Sequence, residues 1–120
     1  MEYTPSHEWV RIEGKFGFIG ITKYAVKELG EIVYIQLPPV GKKITQGEEV
    51  VVLESTKAAA DVYAPIAGVV IAHNEALLQD LAALNQDPET MGWLFQIELE
   101  EENPCSDFLT LEEYLAMIRS

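Results

Sequence analysis

The stretch that most constrains this chain runs from Val50 to Pro65. Val50-Val51-Val52-Leu53 is an apolar, β-prone run, and Val62-Tyr63-Ala64 is a second one that Pro65 stops. β-Branched and aromatic residues on both sides of small and polar ones predict a hairpin, because such side chains fit a pleated surface. The connection between the runs is Glu54-Ser55-Thr56-Lys57-Ala58-Ala59-Ala60-Asp61, and the long side chain near its middle is Lys57. Its neighbours Thr56, Ala58, Ala59 and Ala60 are small, so the hairpin is expected to push a single amine into solvent with nothing bulky beside it. A lysine presented in this way is open to covalent modification. On spacing alone, a solvated lysine at a polar loop tip explains the pattern as well. Lys57 is, however, one of only 8 basic residues, so its place at a small-residue tip is not an accident of a lysine-rich surface.

Length and charge set the outer bounds. A chain of 120 residues is most simply one domain, residues 1-120, and 48% hydrophobic content is enough to build a core. A formal net charge of −12 is unfavourable for a nucleic-acid binder, which needs Lys and Arg against phosphate, and for an anionic membrane surface. It suits docking onto basic protein surfaces, and it also simply keeps a small protein soluble. No apolar run approaches the roughly 20 residues that cross a bilayer. No basic and apolar leader precedes Ser6-His7-Glu8-Trp9, so a cytoplasmic location is expected. The single Cys105 has no internal disulfide partner, which fits a reducing compartment.

Taken in order, Trp9-Val10-Arg11-Ile12 and Phe16 to Ile21 predict a hairpin about the Glu13-Gly14-Lys15 turn. Thr22 is a good N-cap for a helix through Leu29, and Gly30 suits its C′ position. Glu31 to Leu37 predicts a strand that Pro38-Pro39 ends, covered fully on one face and partly on the other. Gly41 to Glu48 reads as a connector with two glycine turns. Val69 to His73 predicts a strand. Leu77, Leu78, Leu81 and Leu84 predict one short helix or helical loop, and Asn85-Gln86-Asp87-Pro88 a turn. Trp93 to Leu99 predicts a late strand, with apolar and polar residues alternating from Phe95. Glu100 to Pro104 is a charged break. Thr110 and Glu113 form a capping box, and Phe108, Leu111, Leu115 and Ile118 predict a buried stripe on a terminal helix at about 110-118. Many short strands and few helices make the chain mainly β.

No catalytic constellation is visible. There is no phosphate-cradling glycine loop, and His7, His73 and Cys105 stand without partners at metal-ligand spacing. A presented lysine without a catalytic set describes a carrier rather than an enzyme, with the hard chemistry left to a cofactor and to partner sites.

The hairpin sequence Glu54-Ser55-Thr56-Lys57-Ala58-Ala59-Ala60-Asp61-Val62-Tyr63-Ala64-Pro65-Ile66-Ala67-Gly68, with Ser6-His7-Glu8-Trp9, Gly92-Trp93 and the terminal helix, resembles the H proteins of the glycine cleavage system. Thr56 and Ala58 stand where the related biotin carriers place Met, which argues against biotin. The resemblance implies a lipoyl-domain-like flattened β barrel (barrel-sandwich hybrid) with short helices and a C-terminal helix. It implies lipoic acid in amide linkage on Lys57, with Glu54 recognised as part of the hairpin and Ser6, Glu8 and Asp61 lining a cleft for the loaded arm. The implied partners are a pyridoxal-phosphate glycine decarboxylase (P protein), a folate-dependent aminomethyltransferase (T protein), a flavin-dependent dihydrolipoyl dehydrogenase (L protein) and a lipoate-attaching enzyme. The implied function is to ferry an aminomethyl group between the first two and a dithiol to the third. Lys23 where the family often has an acid, Leu81 where it often has proline, and Glu89-Thr90-Met91 before Gly92-Trp93 depart from the pattern. Three alternatives share parts of it: a lipoyl domain of a 2-oxo acid dehydrogenase acyltransferase, which lacks the Ser-His-Glu-Trp start and the last helix; an H-like protein that relays lipoate to such acyltransferases; and a structural H-like protein that is no longer modified.

Overall fold

A computed structural model describes residues 1–100 and 108–119. Cys105 and the charged segment 101–104 lie outside the described residues. In chain order the strands are β1 (Glu2–Tyr3), β2 (Glu8–Glu13), β3 (Phe16–Ile21), β4 (Ile32–Gln36), β5 (Lys43–Ile44), β6 (Glu49–Ser55), β7 (Ala59–Tyr63), β8 (Gly68–His73) and β9 (Phe95–Leu99). The helices are α1 (Lys23–Leu29), α2 (Glu75–Gln79), α3 (Ala82–Gln86) and α4 (Leu111–Arg119). The strands form two sheets, ordered β1-β2-β3-β9-β8-β5 and β4-β6-β7, and all the described pairings are antiparallel.

Period-two patterning explains the layering. In β9, Phe95, Ile97 and Leu99 are buried while Glu98 is exposed, as the alternation predicts. Their inward faces join Val10, Ile19 and Val70 of the larger sheet and Val51, Leu53 and Val62 of the smaller one in a single core. A second cluster lies around the fully buried Trp9, where Tyr3 and Tyr114 pack with Phe18 and Trp93. Trp9 donates its indole N–H to the Pro88 carbonyl at 2.9 Å. A Cβ on Gly20 would stand 2.6 Å from the Trp9 ring, so β3 needs glycine where the indole crosses it.

Several expectations are corrected. The leucine-rich stretch is two helices rather than one, because Asp80 leaves helical geometry and its carboxylate accepts the Ala82 N–H at 2.9 Å. A side chain that satisfies a helix start competes with helix continuation. Asn85 and Gln86 end α3 instead of forming a turn, and Trp93 and Leu94 precede β9. The Thr110–Glu113 box forms reciprocally, at 2.9 and 3.2 Å. The helix it starts buries Tyr114, whereas Leu111 is 51% exposed. Tyr114 stacks on Tyr3 at 5.0 Å, while Phe108 and Ile118 of the predicted stripe pack partly buried against the two clusters, so aromatic packing and part of the stripe set the helix phase together. In β4 a bulge between Ile32 and Tyr34 breaks the alternation, and Val33 and Tyr34 are 52% and 48% exposed instead of partly covered.

Candidate functional site

The hairpin of β6 and β7 turns through Thr56, Lys57 and Ala58. Ser55 closes it. Its hydroxyl accepts the N–H groups of Lys57 at 3.1 Å and Ala58 at 3.0 Å and donates to the Ala58 carbonyl at 3.1 Å. That uses one donor and both acceptor directions of a single serine. The backbone adds Ser55 N–H to the Ala58 carbonyl at 2.8 Å, and Thr56 N–H to the Glu31 carbonyl at 3.0 Å. The tip is therefore both closed and fastened to the start of β4. Lys57 is exposed, as its small neighbours suggest, and its amine also has a partner. Its Nζ donates to the Glu28 carbonyl at 3.2 Å, at the C-terminal end of α1 where a cation meets the negative end of the helix dipole. A Cβ on Gly30, which has φ +90°, would lie 2.9 Å from Lys57 Cε. The missing side chain is what lets the lysine lie across this turn.

Beside it is a cleft of about 200 Å³. Ser6, Glu8 and Asp61 line it, together with Glu28, and Ile21, Ala25, Leu29, Leu53 and Val62 supply an apolar wall. The sequence-predicted trio is thus brought together from the β1–β2 turn, the start of β2 and β7. Glu54 is exposed on β6, opposite Tyr34 and Ala59, and does not line this cleft. Glu8 is 2% exposed, and its Oε1 accepts the hydroxyls of Thr4 and Ser6, both at 2.6 Å. Burial of a carboxyl requires such partners. Ser6 and Asp61 are exposed.

His7 separates Ser6 from Glu8 and adopts a positive φ of 73°. Its N–H donates to the Thr4 carbonyl at 3.1 Å, and its own carbonyl accepts Thr22 N–H at 3.1 Å. The Tyr114 hydroxyl bridges His7 Nδ1 at 2.8 Å and Thr22 Oγ1 at 2.7 Å. A helix from the end of the chain thereby holds a turn near its beginning. Burial raises the Tyr114 phenol above its ordinary range, while its hydrogen bond to Thr22 pulls the other way. The Tyr24 phenol is also raised, first by its hydrogen bond to Glu28 and then by that carboxylate's charge. Among the described residues, no group of three or more His, Cys, Asp or Glu is placed to hold a metal.

A family model described as glycine cleavage H-protein matches residues 1–120. The chain belongs to the glycine cleavage H-protein family. It is similar to the glycine cleavage system H protein of Thermotoga maritima, with 46% identity covering 94% of this chain and 91% of that one. It is similar to that of Dinoroseobacter shibae, with 44% identity over 97% and 95%. A solved glycine cleavage system H protein from Mycobacterium marinum superposes with a TM-score of 0.90, at 34% identity, covering 99% and 96% of the two chains. This H-protein fold is the mainly β, barrel-sandwich architecture that the resemblance implies.

Sequence reasoning missed three residues of this H protein's site. Ser55 stood in the quoted motif without a role, although a serine before a tight turn is a recognisable signal for side-chain capping. Tyr114 lay off the leucine stripe. Glu89, noted only as a departure, accepts Lys23 N–H at 2.9 Å and so puts a carboxylate at the start of α1, whose first turn has no acid of its own.

Proposed function

We propose that Lys57 carries lipoic acid in amide linkage, and that this H-protein family member shuttles an aminomethyl group from glycine decarboxylase to aminomethyltransferase and presents its dithiol to dihydrolipoyl dehydrogenase. One observation carries the reading. The amine of Lys57 rests on the carbonyl of Glu28, and Glu28 also lines the cleft that contains Ser6, Glu8 and Asp61. An arm attached at that nitrogen starts at the rim of the cleft. When attached, the lipoyl group supplies a dithiolane that can be reduced, carry the one-carbon amine and be reoxidised.

The chain's own residues bind and orient. Carboxylates at Glu8 and Asp61 offer negative charge and acceptors to an ammonium cargo, and the Ser6 hydroxyl fixes the Glu8 oxygen that faces it. The apolar wall keeps water from a cargo that hydrolyses easily. Tethering raises the local concentration of the cargo at each partner, which a rigid two-sheet body with one fastened hairpin serves well. The net charge of −12 steers encounter with basic partner surfaces, including the lipoate-attaching enzyme. The protein acts as a carrier, the partners supply the catalysis, and the compartment is the cytoplasm. Among the described residues no helix is long and apolar enough to cross a membrane.

Intact mass after incubation with a lipoate–protein ligase, lipoate and ATP tests the site. The parent gains one lipoyl group, and Lys57→Arg, which keeps the charge and the fold, gains none. Lipoylation of the variant, or no gain by the folded parent beside an active ligase control, refutes the assignment. Reconstitution of the loaded parent with the decarboxylase and aminomethyltransferase then separates glycine cleavage from lipoate relay.

A further inference from the structure

One cavity among the described residues has no part in the site above. It is a groove of about 720 Å³ between β4 and the pair α2–α3. β4 is the outer strand of its sheet. Beyond it, among the described residues, Asn85 alone bonds its backbone. The Asn85 amide accepts Ile32 N–H at 2.8 Å and donates to the Ile32 carbonyl at 3.1 Å, as a neighbouring strand would. The rest of the edge, Val33 to Gln36, is open, and an open edge is a template for another strand. Val33, Tyr34 and Leu78 are 52%, 48% and 53% exposed along it. Glu31 and Asp80 are the charged residues of its lining, which contains no Lys, Arg or His.

The groove adjoins the modified hairpin through Glu31, which lines it and whose carbonyl accepts Thr56 N–H. Any enzyme that acylates Lys57 must find binding area close by. Thr56, Ala58 and Ala59 around the lysine are small and offer little, while a specific interface needs about 800 Å² on each partner. We infer that the β4 edge and its groove dock an extended segment of the enzyme that attaches lipoate to Lys57, a segment with an apolar side chain seated against Leu78 and basic residues facing Glu31 and Asp80. This rests on Lys57 being the lipoylated residue. The charge complement follows from two carboxylates with no cation partner among the described residues, the extended form from the edge left unpaired among them, and the identity of the partner from continuity with the lysine tip.

Two variants keep the fold. Leu78→Glu changes an exposed position. Glu31→Gln/Asp80→Asn removes two charges and leaves an acceptor for the Ala82 N–H that Asp80 now holds. In steady-state acylation of the apo protein, Leu78→Glu raises KM about tenfold with kcat retained, the loss expected for one buried leucine contact. Glu31→Gln/Asp80→Asn raises KM about fivefold at low salt, and the effect disappears at high salt. Ligase added without ATP to the ¹⁵N-labelled apo protein shifts the amides of 32–36 and 78–82 as well as those of the hairpin. Parent-like KM in both variants, shifts confined to 54–61, or groove shifts that follow protein concentration without ligase, as a second copy would cause, overturn the inference. Should the parent fail to accept lipoate at Lys57, the functional reading falls and takes the inference with it. Should the parent accept lipoate and the variants match it, the groove alone falls.

Discussion

Replacing Ser55 by alanine isolates what holds the lysine in place. The Ser55 hydroxyl makes three hydrogen bonds, at 3.0, 3.1 and 3.1 Å, to the two residues that end the turn. They are long and lie at an exposed tip where water can replace them, so each contributes at the low end of the usual range, about 0.5 kcal/mol. The sum is about 1.5 kcal/mol, which raises the local opening constant of the tip a little more than tenfold. The backbone bonds from Ser55 N–H and Thr56 N–H remain, so the strands stay paired. Native-state amide exchange reads the effect directly. The Lys57 and Ala58 amides exchange about tenfold faster and those of Val51 to Leu53 are unchanged, while lipoylation kcat/KM stays near the parent's, because a tip that is mostly closed stays mostly closed after a tenfold rise in its opening constant. Ser55→Thr keeps an equivalent hydroxyl and restores both exchange rates. Unaltered exchange at Lys57 and Ala58 refutes the reasoning. So does acceleration spread evenly through β6 and β7, which marks a global loss rather than a local one.

Further outcomes follow from the packing. Tyr114→Phe keeps the stack on Tyr3 but deletes the bridge to His7 and Thr22, and urea denaturation should show a loss of about 1–3 kcal/mol. The phenols of Tyr3 and Tyr114 are held above their ordinary value of 10.0, so the fold favours the neutral forms. Their contribution is complete below the unfolded value and is lost as pH rises through the raised folded values. Stability measured by thermal melts should therefore decline on the alkaline limb, less steeply in Tyr114→Phe. Gly20→Ala drives a methyl into the Trp9 ring and should cost about 1–3 kcal/mol by urea denaturation. Gly17→Ala on the same strand meets atoms no closer than 3.6 Å and should stay within about 0.5 kcal/mol of the parent.

Local signals carried much of the fold into the sequence. The two hairpins and the Thr22 and Thr110 caps depend on residues within a few positions of each other, and the alternation in β9 needs only a buried and a wet face. Thr22 Oγ1 indeed accepts Ala25 N–H at 3.1 Å. Features set by distant partners were not legible. The break between α2 and α3 depends on one Asp80 side chain outcompeting a good leucine pattern. The phase of α4 depends on Tyr114 reaching Tyr3, over a hundred positions away, and the carboxylate that accepts the Lys23 N–H beside the Thr22 cap comes from Glu89. At the site the trio of Ser6, Glu8 and Asp61 entered by resemblance, and the cleft that unites them required coordinates. The turn around His7 at positive φ, and the lysine lying on Glu28, have no periodicity that could announce them.

The contact between Lys57 and the Glu28 carbonyl gives acylation a local consequence in charge. An amide at Nζ is neutral, so one modification makes the whole chain one unit more negative than its formal −12. The vanished cation was not at the periphery: it lay on the terminal turn of α1, at the rim of the cleft. On the proposed assignment, an attaching enzyme would work against a small ion–dipole stabilisation. Later partners would then meet a helix end that has lost its cation, next to carboxylates with one less positive neighbour. Charging the lysine and raising the pull of the cleft on a positively charged cargo would be a single event.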